Sequence, residues 1–463
     1  MKKHDLIVIG AGPGGYVAAI RAAQLGLDVA CVDNNPKLGG TCLRVGCIPS
    51  KAMLEMSERY YEARYEMKKY GIIADKVRLD LEAMHKHKTD TIDTLAKGIE
   101  GLFKKNKITR VEGLASFVSS SRIEVLDKKG KKTEMAASHF IIATGSVPVS
   151  LPGIEVDGKD IGFSSEALNY EQPPEHLVVI GGGYIGLEMG SVWNRLGSKV
   201  TVVEYFDRIL PNMDHDLSTA AKKQFEKQGI EFLLSSKVAG AKAQESGVVV
   251  EIEDGEPIKC DKVLMAVGRK ANTDKLNLDK IGVKVDDRGR VLVDEHWQTN
   301  VEGVFAIGDV IPGLMLAHKA EEEGLACADY LVTGHGEVNY DAIPGVVYTH
   351  PEIASVGKTE QELKADGIAF KTGKFSFAAS GRARAMGQTD GMVKMLAHAH
   401  SDRILGAHII GPRAGDLIAE VAVAISFGAS SEDLAHVSHA HPTLAEAIKE
   451  AAIAASGGQA IHM

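Results

Sequence analysis

Leu6-Ile7-Val8-Ile9-Gly10-Ala11-Gly12-Pro13-Gly14-Gly15 is a short apolar run that opens into a cluster of glycines. Helical texture follows to about Leu25, and 28–32 then read as a second strand ending at Asp33. Strand, glycine turn and helix in that order point to a dinucleotide-binding unit. Gly10, Gly12, Gly14 and Gly15 let the backbone turn tightly and approach a pyrophosphate, whose charge sits at the helix N-terminus. Asp33, 23 residues past Gly10, is placed to accept a hydrogen bond from a ribose hydroxyl.

The unit occurs twice. Leu177 to Ile180 lead into Gly181-Gly182-Gly183-Tyr184-Ile185-Gly186, a helix to about Leu196, and a strand over 200–203 that ends at Glu204, again 23 residues past the first glycine. Gly181, Gly183 and Gly186 repeat the first pattern 171 residues on, which implies two nucleotide sites. An acidic residue at the strand end favours NAD, because Glu204 would repel the 2′-phosphate of NADP and no arginine follows before Arg208.

Between the repeats, Cys42 and Cys47 lie in Gly39-Gly40-Thr41-Cys42-Leu43-Arg44-Val45-Gly46-Cys47-Ile48-Pro49-Ser50-Lys51. An ideal helix would hold such an i,i+5 pair about 8 to 9 Å apart, beyond the reach of a disulfide. If the sulfurs pair, the helix is distorted or starts between them, and Pro49 suits a helix entered near Ile48. A structural bridge, two inert thiols and a redox pair activated by the helix end and Lys51 all remain open on spacing. A metal site would need more ligands than the stretch supplies.

Farther along, 84–105 read as an amphipathic helix whose stripe Ile92, Leu95, Ile99, Leu102 and Phe103 is most simply core. Ile141 to Ser146 read as a buried strand and turn, and 147–152 as a linker. Asp309 closes the strand-like run 303–309, where residue type alone reads first as a turn former. From about Pro344 the texture changes to alternating strands and turns with an apolar helix over 416–427, a third domain of α+β type. Near its end, His439-Ala440-His441-Pro442-Thr443-Leu444-Ala445-Glu446 admits two readings: Thr443 and Glu446 as a capping box, or His441 and Glu446 as an oriented acid/base pair.

Composition narrows the setting. The 463 residues, 44% hydrophobic and 25% charged, describe a soluble protein of about three domains, and a net charge of −9 speaks against nucleic-acid or anionic-membrane partners. Five irregularly spaced cysteines do not form a secreted disulfide framework, and no run reaches the ~20 apolar residues of a membrane span. With only Met1 to Asp5 ahead of the first strand, a cytoplasmic protein is expected.

Together these motifs resemble the pyridine nucleotide-disulfide oxidoreductases over the whole chain. The resemblance implies an α/β fold of two Rossmann-like dinucleotide-binding domains plus a C-terminal α+β dimerisation domain. The implied segments are an FAD-binding domain with the redox disulfide (1–147), an NAD-binding domain (148–272), a return to the FAD domain (273–343) and an interface domain (344–463). It implies that Cys42 and Cys47 form a redox-active disulfide, that His441 with Glu446 is the acid/base pair, and that no metal takes part.

FAD would be held by the first glycine unit, with Asp33 at the adenosine ribose, Ala115 near the adenine, and Lys51 near the isoalloxazine. Thr144, Gly145, Ser146, Asp309, Met315, Leu316, Ala317 and His318 would complete its site. NAD would lie on Gly181, Gly183, Gly186 and Glu204, with Glu188 and Gly268 nearby. Family members commonly carry glutamate, asparagine and glycine where Asp33, Arg44 and Ala115 stand.

The implied activity is oxidation of protein-bound dihydrolipoamide with NAD by a homodimer whose sites are shared between chains. Lipoyl-bearing partner proteins of 2-oxoacid dehydrogenase or glycine-cleavage systems would supply the substrate. Other reductases of the family, of glutathione or mercuric type, and a non-catalytic flavin-binding protein are the alternatives.

Overall fold

The computed structural model describes residues 3–462. Two compact units share the chain: Met1–Ala52, Leu81–Val149 and Gly268–Val338 form one, and Met53–Asp80, Ser150–Val267 and Asn339–Met463 the other. The first is organised by β1 (Lys3–Ile9), whose Leu6, Ile7 and Val8 are fully buried. A strand apolar on both faces belongs in the middle of a parallel sheet. β2 (Val29–Asp33) and then β3 (Thr109–Glu112) extend the sheet on one side of β1, and β6 (Lys132–Ile142) and then Val304–Ala306 extend it on the other.

Within this one seven-stranded sheet β6 pairs in two ways. Its Ala136–Ile142 half pairs parallel with β1, while Lys132–Ala136 pairs antiparallel with β5 (Arg122–Leu126), which in turn pairs with β4 (Leu114–Ser119). Helix α1 (Pro13–Gln24) crosses the helix Ala317–Thr333 where neither can carry a side chain. A Cβ on Gly14 would meet the Ala320 carbonyl oxygen at 2.8 Å, and one on Gly324 the Gly14 oxygen at 2.5 Å.

Three further helices are α2 (Gly40–Val45), α3 (Cys47–Tyr61) and α4 (Leu81–Lys105). On α4 the expected core stripe divides: Ile92 and Phe103 are buried and Ile99 packs against the core, but Leu95 and Leu102 are each 43% exposed. Helical period locates an apolar stripe; it does not say how wide an arc the neighbouring layer covers. Ser146–Pro148, spanning the end of the expected turn and the first two residues of the expected linker, is a strand paired antiparallel with Arg269–Ala271, because the chain returns beside its point of departure.

The second unit repeats the first layout. Glu231–Leu233, Lys199–Val203, His176–Ile180, Lys262–Met265 and Ile161–Gly162 lie side by side, all parallel, and Val238–Gln244, Gly247–Ile252 and Ile258–Cys260 form the accompanying meander. Its remaining sheet is antiparallel, in the order Gly345–Val347, Glu352–Gly357, Ile404–Gly411, Met392–His398, Phe370–Ser376. The helices Ala414–Ser426 and Glu446–Gly457 contribute to the same hydrophobic core. Among the described residues no helix is long and apolar enough to cross a membrane.

One ionic cluster stands out in this unit. The Lys394 ammonium, fully buried, reaches Asp214 at 2.8 Å, Asp216 at 2.7 Å and Glu360 at 2.7 Å. Burial would raise Asp216, but hydrogen bonds from Lys374 and Lys394 hold it down to about 2. Its contribution is therefore present above the ordinary value of 3.8 and lost as pH falls toward 2. Replacing Lys394 by Met leaves the buried Asp214 without its cation, while Asp216 keeps Lys374 and Glu360 keeps Lys364, and should cost about 3–5 kcal/mol. In thermal melts the Lys394→Met variant should unfold well below wild type at neutral pH, and the gap should narrow between pH 4 and 2. Equal melting temperatures at pH 7 would contradict this account.

Candidate active site

Cys42 and Cys47 are joined by a disulfide, their Cα atoms 4.7 Å apart. The approach is possible because the helix is interrupted between them. α2 ends at Val45, Gly46 takes the non-helical angles φ −134, ψ −115, and α3 restarts at Cys47, one residue earlier than Ile48. Both cysteines are half-buried, and Lys51 follows Cys47 by one helical turn on α3. The other cysteines, Cys31, Cys260 and Cys327, are free and buried.

The two glycine turns match position by position. Gly10 and Gly181 have φ of 105° and 108°, a left-handed backbone that L side chains rarely adopt. In front of Gly183 there is open space, and at Gly12 the nearest atom to an added Cβ would be 3.9 Å away, so backbone amides are approachable there. A Cβ on Gly15 would lie 1.9 Å from the Gly10 oxygen, and one on Gly186 2.2 Å from the Gly181 oxygen, which packs helix onto strand.

The strand-end acids match as well. Asp33 Oδ2 accepts from the Ala11 amide at 2.7 Å and Oδ1 from the Asn35 amide at 2.8 Å; Glu204 Oε2 accepts from the Gly182 amide at 2.6 Å and Oε1 from the Phe206 amide at 2.9 Å. Each carboxylate thus braces its own glycine turn. Carboxylate oxygens accept two hydrogen bonds each, so capacity remains for a ribose hydroxyl. Both turns fit a dinucleotide diphosphate by this geometry.

Around the first turn, Ser146 Oγ donates to Asp309 Oδ2 at 2.5 Å and accepts from Arg269 Nε at 2.7 Å. Thr144 Oγ1 donates to the Asn272 carbonyl at 2.7 Å, and Gly145 turns with φ 72°. Ala115 is buried on β4. Met315 and Leu316 lead into the helix that begins at Ala317 and His318, so the amides of its first turn open beside them.

Sequence reading missed what holds Asp309 in place. Lys319 and Glu323, both buried, form an ion pair of 2.9 Å, and Glu323 Oε2 accepts from the Gly308 amide at 2.7 Å. Their i,i+4 spacing looks like any surface pair. In the second unit, Glu188 is buried and accepts from the Tyr348 amide at 3.1 Å, and Gly268, at the edge of the first unit, has φ 124°.

His441 and Glu446 lie in the second unit, their Nδ1 and Oε1 2.8 Å apart. With Nδ1–H directed at the carboxylate, Nε2 is left as proton acceptor on a side chain that is 79% exposed. Glu446 Oε2 accepts from the Thr443 amide at 2.8 Å. Burial would raise Glu446, but the His441 ring and the Thr443 amide outweigh it and hold the carboxyl below its usual range. The other half of the capping box is missing, since Thr443 Oγ1 is buried without a hydrogen-bond partner among the described residues. The His441–Pro442 peptide is cis.

Residues 4–324 match the family model of the pyridine nucleotide-disulphide oxidoreductases, and residues 343–452 that of their dimerisation domain. A mitochondrial dihydrolipoyl dehydrogenase of Pisum sativum is 52% identical, covering 98% of this chain and 91% of its own. One from Schizosaccharomyces pombe is 48% identical over 99% and 91%. The crystal structure of LpdA from Mycobacterium tuberculosis superposes with a TM-score of 0.90 at 27% identity, covering 97% of this chain and 99% of that one.

Thiol counting tests the cysteine assignment. Of the five cysteines, three are free and buried, so the native oxidised protein should give almost no fast-reacting thiol. Mild reduction should release the pair Cys42 and Cys47, and denaturation under reduction should expose all five. Two fast thiols before reduction would refute the bridge.

Proposed function

The chain belongs to the pyridine nucleotide-disulphide oxidoreductases, and within them we propose that it works as a dihydrolipoyl dehydrogenase, oxidising protein-bound dihydrolipoamide with NAD as acceptor. The observation that carries this reading is the Cys42–Cys47 disulfide at the head of α3, on a segment hydrogen-bonded to the first glycine turn through the Gly39 amide and the Ala11 carbonyl. FAD and NAD are its cofactors, the first assigned to the turn Gly10–Gly15 and the second to Gly181–Gly186. Bound there, FAD supplies a two-electron carrier between a dithiol and NAD.

The chain's own groups perform the sulfur chemistry. His441 Nε2 takes the proton of one substrate thiol while Glu446 holds the ring and balances its charge. The thiolate attacks Cys42 Sγ, the Cys42–Cys47 bond breaks, and Cys47 leaves as thiolate. The second substrate thiol then displaces Cys42 from the mixed disulfide, its proton passing to the Cys42 sulfur as the lipoamide ring closes. Two electrons now reside on the Cys42/Cys47 dithiol, destined for NAD as hydride, and one proton departs through His441. Lys51, one turn from Cys47, opposes the negative charge that builds there.

FAD contacts are assigned to Asp33, Ala115, Thr144, Gly145, Ser146, Asp309 and the helix start at Met315, Leu316, Ala317 and His318, supported by the bonds that already orient Ser146 and Asp309. NAD contacts are assigned to Glu188, Glu204 and Gly268, with Glu204 disfavouring a 2′-phosphate. The dimerisation domain makes the protein a homodimer. We assign His441 of each chain to the partner's disulfide, and substrate to lipoyl-bearing proteins of 2-oxoacid dehydrogenase or glycine-cleavage type. Three free thiols fit a reducing, cytoplasm-like compartment.

Steady-state assay with free dihydrolipoamide should show NAD preferred over NADP by about 100-fold or more, from the like charge of Glu204. Turnover with NADP alone would reject the assignment. His441→Gln should lower kcat by about 10²–10⁴, and Cys47→Ser should abolish turnover with FAD retained. Mixing the two variants should restore about a quarter of wild-type activity, since half the dimers are hybrids with one intact site each. No recovery after confirmed subunit exchange would sink the shared site.

A further inference from the structure

Arg44 is a half-buried cation that forms no ion pair among the described residues. Its Nε is buried with no hydrogen-bond partner among them. α2 carries it to a particular place. The Gly39 amide donates to the Ala11 carbonyl at 2.9 Å, and a Cβ on Gly40 would lie 2.4 Å from the Gly12 Cα, so the first turn of α2 rests directly on the glycine turn. Arg44 follows Gly40 by four residues and shares that face of the helix.

The nearby acid does not satisfy it. Asp33 is close enough for its charge to act on the guanidinium, but its oxygens accept instead from the Ala11 amide and from the amide and side chain of Asn35. Burial opposes the charge on Arg44, with Asp33 partly offsetting it. A guanidinium partly removed from water, with its buried Nε–H unmatched, is costly unless an anion arrives to take that donor. A carboxylate beside a phosphate site would also repel the ligand, and a cation at this position cancels it.

We propose that Arg44 binds the diphosphate of FAD, as a charged clamp on the adenosine diphosphate half of the cofactor. This rests on the assignment of FAD to the first glycine turn, and it adds a residue to that site. Arginine suits the task because its planar fork makes paired hydrogen bonds to phosphate oxygens, which lysine cannot reproduce.

The test uses full-length protein carrying Arg44→Met or Arg44→Lys. Flavin is removed reversibly, and FAD, ADP and riboflavin are titrated back by calorimetry and flavin fluorescence; release of FAD from diluted holoprotein is followed alongside. A hydrogen-bonded charge contact corresponds to about 10- to 100-fold in affinity, so Arg44→Met should weaken FAD and ADP by that factor and leave riboflavin unchanged. Arg44→Lys should fall between, and keeps the test open if the Met variant does not fold.

Equal FAD and ADP affinities in wild type and a folded variant would overturn the proposal. So would unchanged FAD affinity with an altered reduction potential of the Cys42–Cys47 pair, which would place Arg44 at the sulfurs. Wild-type protein that binds no FAD at all would instead remove the FAD assignment beneath it.

Discussion

Backbone meets backbone at Gly15 and Gly186 more closely than any side chain would allow: an added Cβ would sit 1.9 Å and 2.2 Å from the carbonyl oxygens of Gly10 and Gly181. That contact sets each glycine helix against the end of its strand, so the free amides of the helix start project beyond the sheet edge. The acids at the ends of the second strands then tie the loop down, through the Ala11 and Gly182 amides. Once both are in place, the anion site is built before any ligand arrives. Preformed donors need no reorganisation on binding, which is why so much of the chain is arranged to keep these two turns fixed.

The sulfur segment inherits its position from the first turn. Gly39 donates to Ala11, Gly40 lies against Gly12, and α2 then carries Cys42 to within 4.7 Å, Cα to Cα, of Cys47 at the head of α3. A longer side chain at Gly40 would push the disulfide away from the turn. From the other side of the same unit, the buried pair Lys319–Glu323 holds Gly308, and the chain Arg269, Ser146, Asp309 is linked by hydrogen bonds. Distant stretches of sequence are thereby committed to one small region. A hydrogen-bonded network of this kind, fully buried at Lys319 and Glu323 and half-buried at Arg269 and Asp309, fixes geometry more than it adds stability.

What could be read from the sequence was what depends on local spacing. The two glycine units, the acids 23 residues on, the paired cysteines and the histidine ahead of a helix all declare themselves within a few dozen residues. What could not be read depends on which residues the fold brings together. Lys319 and Glu323 look like a solvated i,i+4 pair until the helix is buried against α1. Leu95 and Leu102 share a period with Ile92 and Phe103, but only the latter two are covered. The strand over Ser146–Pro148 exists only because Arg269–Ala271 returns beside it.

Glu446 illustrates why a structural and a chemical reading of one motif need not compete. A carboxylate has two oxygens, and here they are divided: Oε2 holds the Thr443 amide at the start of the helix, and Oε1 faces His441 Nδ1. The first bond fixes where the second can point. Behind Glu446 the helix is anchored by buried Ala447, Ile448 and Ala451, so the ring direction is set by the packing of the C-terminal core and not by the loop that carries the histidine. A free loop would let the imidazole sample many orientations, each with its base nitrogen aimed elsewhere. Making the orienting acid the first residue of a buried helix removes that freedom at little energetic cost, because the cap bond would be needed in any case.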